Sequence, residues 1–115
     1  MSKTFIDKNA WLSTDTRKPV ELEIPEFGGA CVRIRPLTTA QSQSIPKVEK
    51  GGDYWPANRE TLRLSLVDEN GEPMFTADVL DTLNTQHSSA IFSRIQRKIS
   101  ELNGWTRDAE DDAKN

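Results

Sequence analysis

The stretch VELEIPEFGGACVRIRP, residues 20–36, constrains the fold more than any other part of the chain. Val20, Leu22 and Ile24 alternate with Glu21 and Glu23, and Val32 and Ile34 alternate with Arg33 and Arg35. A period of two sends the apolar side chains to one face of a strand and the charges to the other. Between the runs lies PEFGG, a proline and two glycines of the kind that let a chain reverse. The pattern predicts an antiparallel hairpin over about 19–36. If Ile24 faces Val32, then Leu22 meets Ile34, while Glu23 and Glu21 stand opposite Arg33 and Arg35. Such cross-strand ion pairs add from a few tenths to about 1 kcal/mol each. They also fix register, because a slip of one residue buries the charges. Glu21, Glu23, Arg33 and Arg35 are therefore read as structural ion pairs.

A hairpin with an apolar face needs a cover, and the remaining sequence supplies helices. Thr38 or Thr39 is a candidate N-cap, and Pro46 ends or kinks whatever begins there. GGDYWP, residues 51–56, is a loop whose Tyr54 and Trp55 are either lids on the core or exposed contact residues. Residues 61–80 can be read two ways. Leu62, Leu64 and Leu66 alternate with polar residues ahead of Asn70-Gly71, as in a hairpin. Yet Leu62 and Leu66 are also four apart, and the returning strand would contain Pro73, which has no N–H for a ladder. A helix from about 57 to 67 followed by a turn is the better account. That turn sets Asp68, Asn70 and Glu72 at calcium-loop positions, but Pro73 replaces the required glycine and Val79 the bidentate glutamate. The calcium reading fails.

Thr76 then caps a short helix with Val79, Leu80 and Leu83 on its buried face. A longer helix runs from about His87 to Asn103, with Ile91, Phe92, Ile95, Ile99 and Leu102 at helical spacing and Asn103-Gly104 as its stop. Trp105 is placed to fold back onto that cap. At the other end, residues 1–18 form a helical or irregular lead-in whose Phe5, Trp11 and Leu12 are available for packing. Residues 107–115 are a polar, acidic tail expected to fray. The expected class is α+β: an N-terminal hairpin, with room for an added strand, against three to four helices. Residues 1–106 are expected to form one domain, with the helical part over about 38–104.

Several functions are disfavoured by composition. Fifteen basic and eighteen acidic residues among 115 leave a net charge of −3, without the basic stripe of a nucleic-acid binder. No apolar run approaches the roughly 20 residues that cross a bilayer, and Asp7 and Lys8 interrupt any signal-peptide core. The expectation is a cytosolic protein without a membrane partner. Cys31 and His87 are single, so one chain can build neither a disulfide nor a zinc site from them. Cys31 reads as a half-buried strand residue and His87 as a surface helix residue. Ser88 and Ser89 follow His87 directly, a spacing that does not face them to its ring on a helix. No catalytic residue, metal site or cofactor site is expected.

The segments LSLVDENGEPMFTADVLDTL and SSAIFSRIQRKISELNG, residues 64–83 and 88–104, resemble the tail assembly chaperones of long-tailed bacteriophages. Leu66-Val67-Asp68, Asn70-Gly71, Pro73-Met74-Phe75 and Leu102-Asn103-Gly104 carry the likeness. The hairpin is also similar to that family's Pro-Glu-aromatic-Gly-Gly turn and arginine-bearing strand. The resemblance covers roughly residues 19–40 and 62–104, whereas the middle, with Pro46 and KGGDYW, departs from it. It implies a non-catalytic protein of the infected host cytoplasm, absent from the finished particle. Its partners would be the tape measure protein, which it keeps soluble, and tail tube subunits, with self-association along a long client. Trp55, Phe75 and Trp105 are the candidate partner-binding residues. The alternatives are a virion component such as a small head–tail connector, or a small acidic inhibitor or adaptor.

Overall fold

The computed structural model of the chain describes residues 3–105. Strands β1 (Val20–Glu23) and β2 (Cys31–Ile34) form the expected antiparallel hairpin. Its register differs from the sequence reading by two residues: Val20 faces Ile34, Glu21 faces Arg33, Leu22 faces Val32 and Glu23 faces Cys31. The reason lies in the turn. Ile24 N–H donates to the Ala30 carbonyl at 2.9 Å, and a single 3-10 turn at Pro25–Phe27 leads into Gly28 and Gly29, at φ +67° and +88°. Two successive positive φ values, cheap only for glycine, close the loop two residues earlier than expected. A shift of two keeps every side chain on its face, so the apolar side is preserved.

The ion-pair expectation is corrected. Among the described residues no ion pair within 4.0 Å joins Glu21 or Glu23 to Arg33 or Arg35. Glu23 now faces Cys31, and Arg35 lies beyond the ladder. Arg35 is instead a tether, its Nε donating to the Arg17 carbonyl at 3.0 Å and its Nη1 reaching the Gly71 carbonyl at 3.5 Å.

After β2, Thr38 forms a capping box with Gln41 and starts the short helix α2 (Thr39–Ser44). Ile45 turns extended ahead of Pro46, as a residue preceding proline must. Helix α3 (Trp55–Ser65) carries Pro56 in its first turn, where the missing N–H is harmless. The ambiguous stretch turns out to contain both elements. The helix ends at Ser65, and Leu66–Val67 become strand β3, antiparallel to β2 with Leu66 opposite Ile34 and Val67 opposite Arg33. Val67 bridges Pro73 on its other side, and Met74 N–H donates to the Leu66 carbonyl at 3.0 Å. A miniature hairpin thus follows the helix, with Pro73 at the sheet edge where its lack of an N–H costs nothing.

Helix α4 (Ala77–Gln86) is capped by Thr76, whose Oγ1 accepts from Val79 N–H. Leu80 is fully buried and Leu83 half-buried, but Val79 is 42% exposed, against expectation. The helix is rolled toward Asp81, which bonds to α3, and this turns Val79 outward. Helix α5 (Ser89–Asn103) buries Ile91, Ile95 and Ile99, and Gly104 at φ +75° ends it.

The core is one cluster: Ile24, Ile34 and Leu66 from the sheet, Leu62 from α3, Leu80 from α4 and the three isoleucines of α5. Each fully buried aliphatic side chain contributes about 1.5–3 kcal/mol. The architecture is α+β, an antiparallel sheet of order β1-β2-β3 with helices against its apolar face. The lead-in does not pack on it as expected. Helix α1 (Lys8–Ser13) has no buried residue, and Phe5, Ile6, Trp11 and Leu12 are 65–83% exposed. The acidic tail 107–115 lies outside the described residues.

Candidate protein-binding groove

Between the sheet and the two C-terminal helices the apolar layers do not close completely. The opening has a volume of about 340 Å³. Its floor is Ile24, Val32 and Leu66 from the sheet, and its far wall is Ile91, Phe92 and Ile95 from α5. Leu83 of α4 and Phe75, in the segment that returns from β3, complete the lining. The floor follows from the period-two pattern of the hairpin, and the wall from the i, i+1, i+4 spacing of α5. A concave, largely apolar surface of a few hundred Å³ suits an apolar side chain or helix face of a partner.

The lip is built by the hairpin turn. Phe27 is 55% exposed and stacks at a tilt on His87, ring centroids 5.6 Å apart. Beside it, Glu26 takes two hydrogen bonds from Arg94 of α5, at 2.6 and 3.3 Å, which tie the turn to the helix. The Arg94 hydrogen bonds hold the Glu26 carboxyl below the usual carboxylate range. Cys31, expected to be half-buried, is exposed at the edge of the opening, because it pairs with Glu23 on the charged face of the hairpin. His87, expected on a helix surface, is instead the half-buried cap residue between α4 and α5.

The three aromatics singled out in the sequence are not brought together. Phe75 alone lines the groove. Trp55 is half-buried beyond Phe92, edge-on to its ring at a centroid separation of 6.5 Å. Its Nε1–H donates to Asp81 Oδ1 at 2.7 Å, so it bridges α3 and α4. There it borders a second, more polar cleft of about 470 Å³ with Asn58, Asn84 and Gln96. Trp105, 36% exposed just past Gly104, lines neither opening. Phe27 is the lining residue the sequence reading missed. Its place in a tight turn, where a large apolar side chain has no core to enter, was the available signal.

Among the described residues no group of three or more His, Cys, Asp and Glu side chains is arranged to hold a metal ion. No described helix is long and apolar enough to cross a membrane. What the described surface offers is a concave, largely apolar opening.

A three-stranded antiparallel sheet, a helix running into its third strand and two C-terminal helices make up the fold that carries the groove. It is similar to the solved structure of the bacteriophage HK97 tail assembly chaperone, with a TM-score of 0.54 over 83% of this chain and 89% of that chain. The two sequences are 16% identical, so the likeness is one of fold. No protein-family model matches the chain, and no curated protein matches it in sequence.

Proposed function

We propose that this protein is a non-catalytic chaperone of phage tail assembly that binds the tape measure protein, keeps it soluble and helps bring tail tube subunits to it. The observation that carries the reading is the shared fold with the HK97 tail assembly chaperone over most of both chains. The resemblance of residues 19–40 and 62–104 to the same family, read from the sequence, supports it independently. The apolar groove supplies a physical means. A long tape measure presents repeated apolar helix faces, and many weak groove contacts side by side gain avidity without high affinity in any one. Such a protein works in the host cytoplasm and leaves before the particle is complete.

Co-expression with the tape measure protein encoded in the same genome tests the reading. The expected result is a soluble tape measure that co-purifies with this chain, and a loss of both effects on Phe75→Ser. A tape measure that stays insoluble, together with this chain in purified particles, would replace the chaperone by a virion component.

A further inference from the structure

We infer that the outer edge of β1 is a docking site for an extended segment of a partner protein in which lysine or arginine alternates with apolar residues. Among the described residues only one edge of the sheet is closed. On the β3 side, residues 72–74 return along the strand. Met74 N–H donates to the Leu66 carbonyl at 3.0 Å, and Asp68 N–H to the Glu72 carbonyl at 2.8 Å. The other edge is β1, and no described strand lies beyond it.

The ladder fixes which backbone groups of β1 point outward. In an antiparallel pair, alternate residues turn their N–H and C=O toward the neighbour. Ile24 N–H donates to the Ala30 carbonyl at 2.9 Å, so Leu22 and Val20, in the same phase, turn theirs toward β2. The phase is confirmed on β2, where Arg35 N–H turns the other way and donates to the Ser65 carbonyl at 2.8 Å. Glu21 and Glu23 therefore direct their backbone groups away from the sheet, and no described backbone hydrogen bond outside the ladder reaches them. Unpaired groups of this kind recruit an added strand through main-chain hydrogen bonds.

The side chains define what such a strand carries. On one face, Val20 and Leu22 are half-buried and leave an apolar margin along the edge. On the other face, Glu21 and Glu23 are exposed. Among the described residues neither has an ion-pair partner within 4.0 Å, although Arg33 stands opposite Glu21. An added strand sets one row of side chains beside Val20 and Leu22 and the alternate row beside the two glutamates. Apolar residues suit the first row, and lysine or arginine the second. In an antiparallel pairing the basic residues, directly opposite Glu21 and Glu23, also exchange the main-chain hydrogen bonds with them. A second copy of β1 does not suit this edge, because glutamates would then face glutamates. Pro19 and Pro25 bound the strand and limit the pairing to the residues between them.

The test titrates the full chain with a capped synthetic peptide of alternating lysine and valine, followed by NMR of the backbone amides. The Glu21 and Glu23 amides should shift and gain protection from hydrogen exchange. Glu21→Gln should weaken binding by up to about fivefold, the range of an exposed ion pair. Glu21→Lys with Glu23→Lys should abolish it and confer binding of a peptide of alternating glutamate and valine. The circular dichroism spectrum should not change, since both side chains are exposed. A peptide N-methylated at its lysines keeps its charge but loses its main-chain donors, and should not bind. Binding that survives N-methylation, or that shifts amides away from β1, would leave only general charge attraction and overturn the inference. So would the absence of binding at about 1 mM peptide, the weak end of specific association. No client protein takes part, so the outcome is separate from that of the chaperone reading.

Discussion

Trp55 and Asp81 lie 26 residues apart and are joined by a 2.7 Å hydrogen bond from the indole Nε1–H to the Asp81 carboxylate. Arg59 Nη1 donates to both oxygens of the same carboxylate, at 3.1 and 3.0 Å. The Trp55 hydrogen bond first, and Arg59 second, hold the Asp81 carboxyl below its ordinary value. A group whose folded pKa is depressed stabilises the fold above its unfolded pKa, about 3.9 for aspartate, and that contribution disappears as pH falls through the folded value. Melting temperature followed from pH 7 to pH 3 should fall in the acidic part of the range. Asp81→Asn should flatten that fall. Glu26 and Glu60 are lowered in the same direction by Arg94 and Arg63, so the slope should diminish rather than vanish. An unchanged slope in Asp81→Asn would remove Asp81 from the linkage.

The hairpin turn makes a second prediction. At Gly29, φ +88° is in the left-handed region, and an added Cβ would press on Glu23 Oε1 at 3.2 Å. Gly28, at φ +67°, has open space around it. Gly29→Ala should therefore cost about 1–2 kcal/mol, while Gly28→Asn, a residue that tolerates this conformation, should stay within ~0.5 kcal/mol of the unaltered chain. Urea titrations of the two variants decide it, and equal stabilities would argue that the turn relaxes.

That turn also shows where sequence reading stops. Alternation over residues 20–35 revealed which side chains share a face, because the period of two is a property of the strand itself. It did not reveal the register, which depends on how Gly28 and Gly29 divide the reversal between them. Residues 61–67 carried helical and strand periodicity together, and the chain uses one after the other. The switch at Ser65 is imposed by the β2 edge, a partner distant in sequence that no local pattern announces. Thr38, Thr76 and Gly104 were legible as caps, since capping is local. The groove was not legible, because its lining comes from the sheet, the segment at Phe75 and two helices, and it exists only where they fail to close.

Asn103 fastens the end of α5 to the strand side of the molecule. Its Oδ1 accepts from Leu37 N–H at 2.9 Å, and its Nδ2 donates to the Ile99 carbonyl at 2.8 Å. Leu37 is buried, so removing the acceptor leaves its amide without a partner. Asn103→Ala should cost about 1–3 kcal/mol, the range for an orphaned buried donor. Asn103→Asp keeps an acceptor for Leu37 and should recover part of the loss at neutral pH. Denaturant midpoints for the two variants test the order, and Asn103→Ala within ~0.5 kcal/mol of the unaltered chain would mean that water takes over.

Packing energies along α5 and α4 should separate just as sharply. Ile99 is fully buried, whereas Val79 is 42% exposed. Ile99→Ala should destabilise by about 2–5 kcal/mol through lost burial and the cavity it leaves. Val79→Ala should change stability by less than ~0.5 kcal/mol. A large loss at Val79 would show that this face is covered in solution.

Ser65 poses the opposite problem. Its side chain is fully buried at the end of α3, and its Oγ has no hydrogen-bond partner, although the residue's carbonyl accepts from Arg35 N–H at 2.8 Å. A buried hydroxyl without a partner costs roughly 1–3 kcal/mol on mutational scales, and alanine has the higher helix propensity. Ser65→Ala keeps the backbone bond to Arg35 and leaves only a hydroxyl-sized gap. It should stabilise the protein by about 1 kcal/mol, the low end of that mutational range, raising both the melting temperature and the urea midpoint. A loss of stability would mean that the hydroxyl has a partner in solution, with a buried water as the first to look for by hydrogen-exchange and crystallographic measurement.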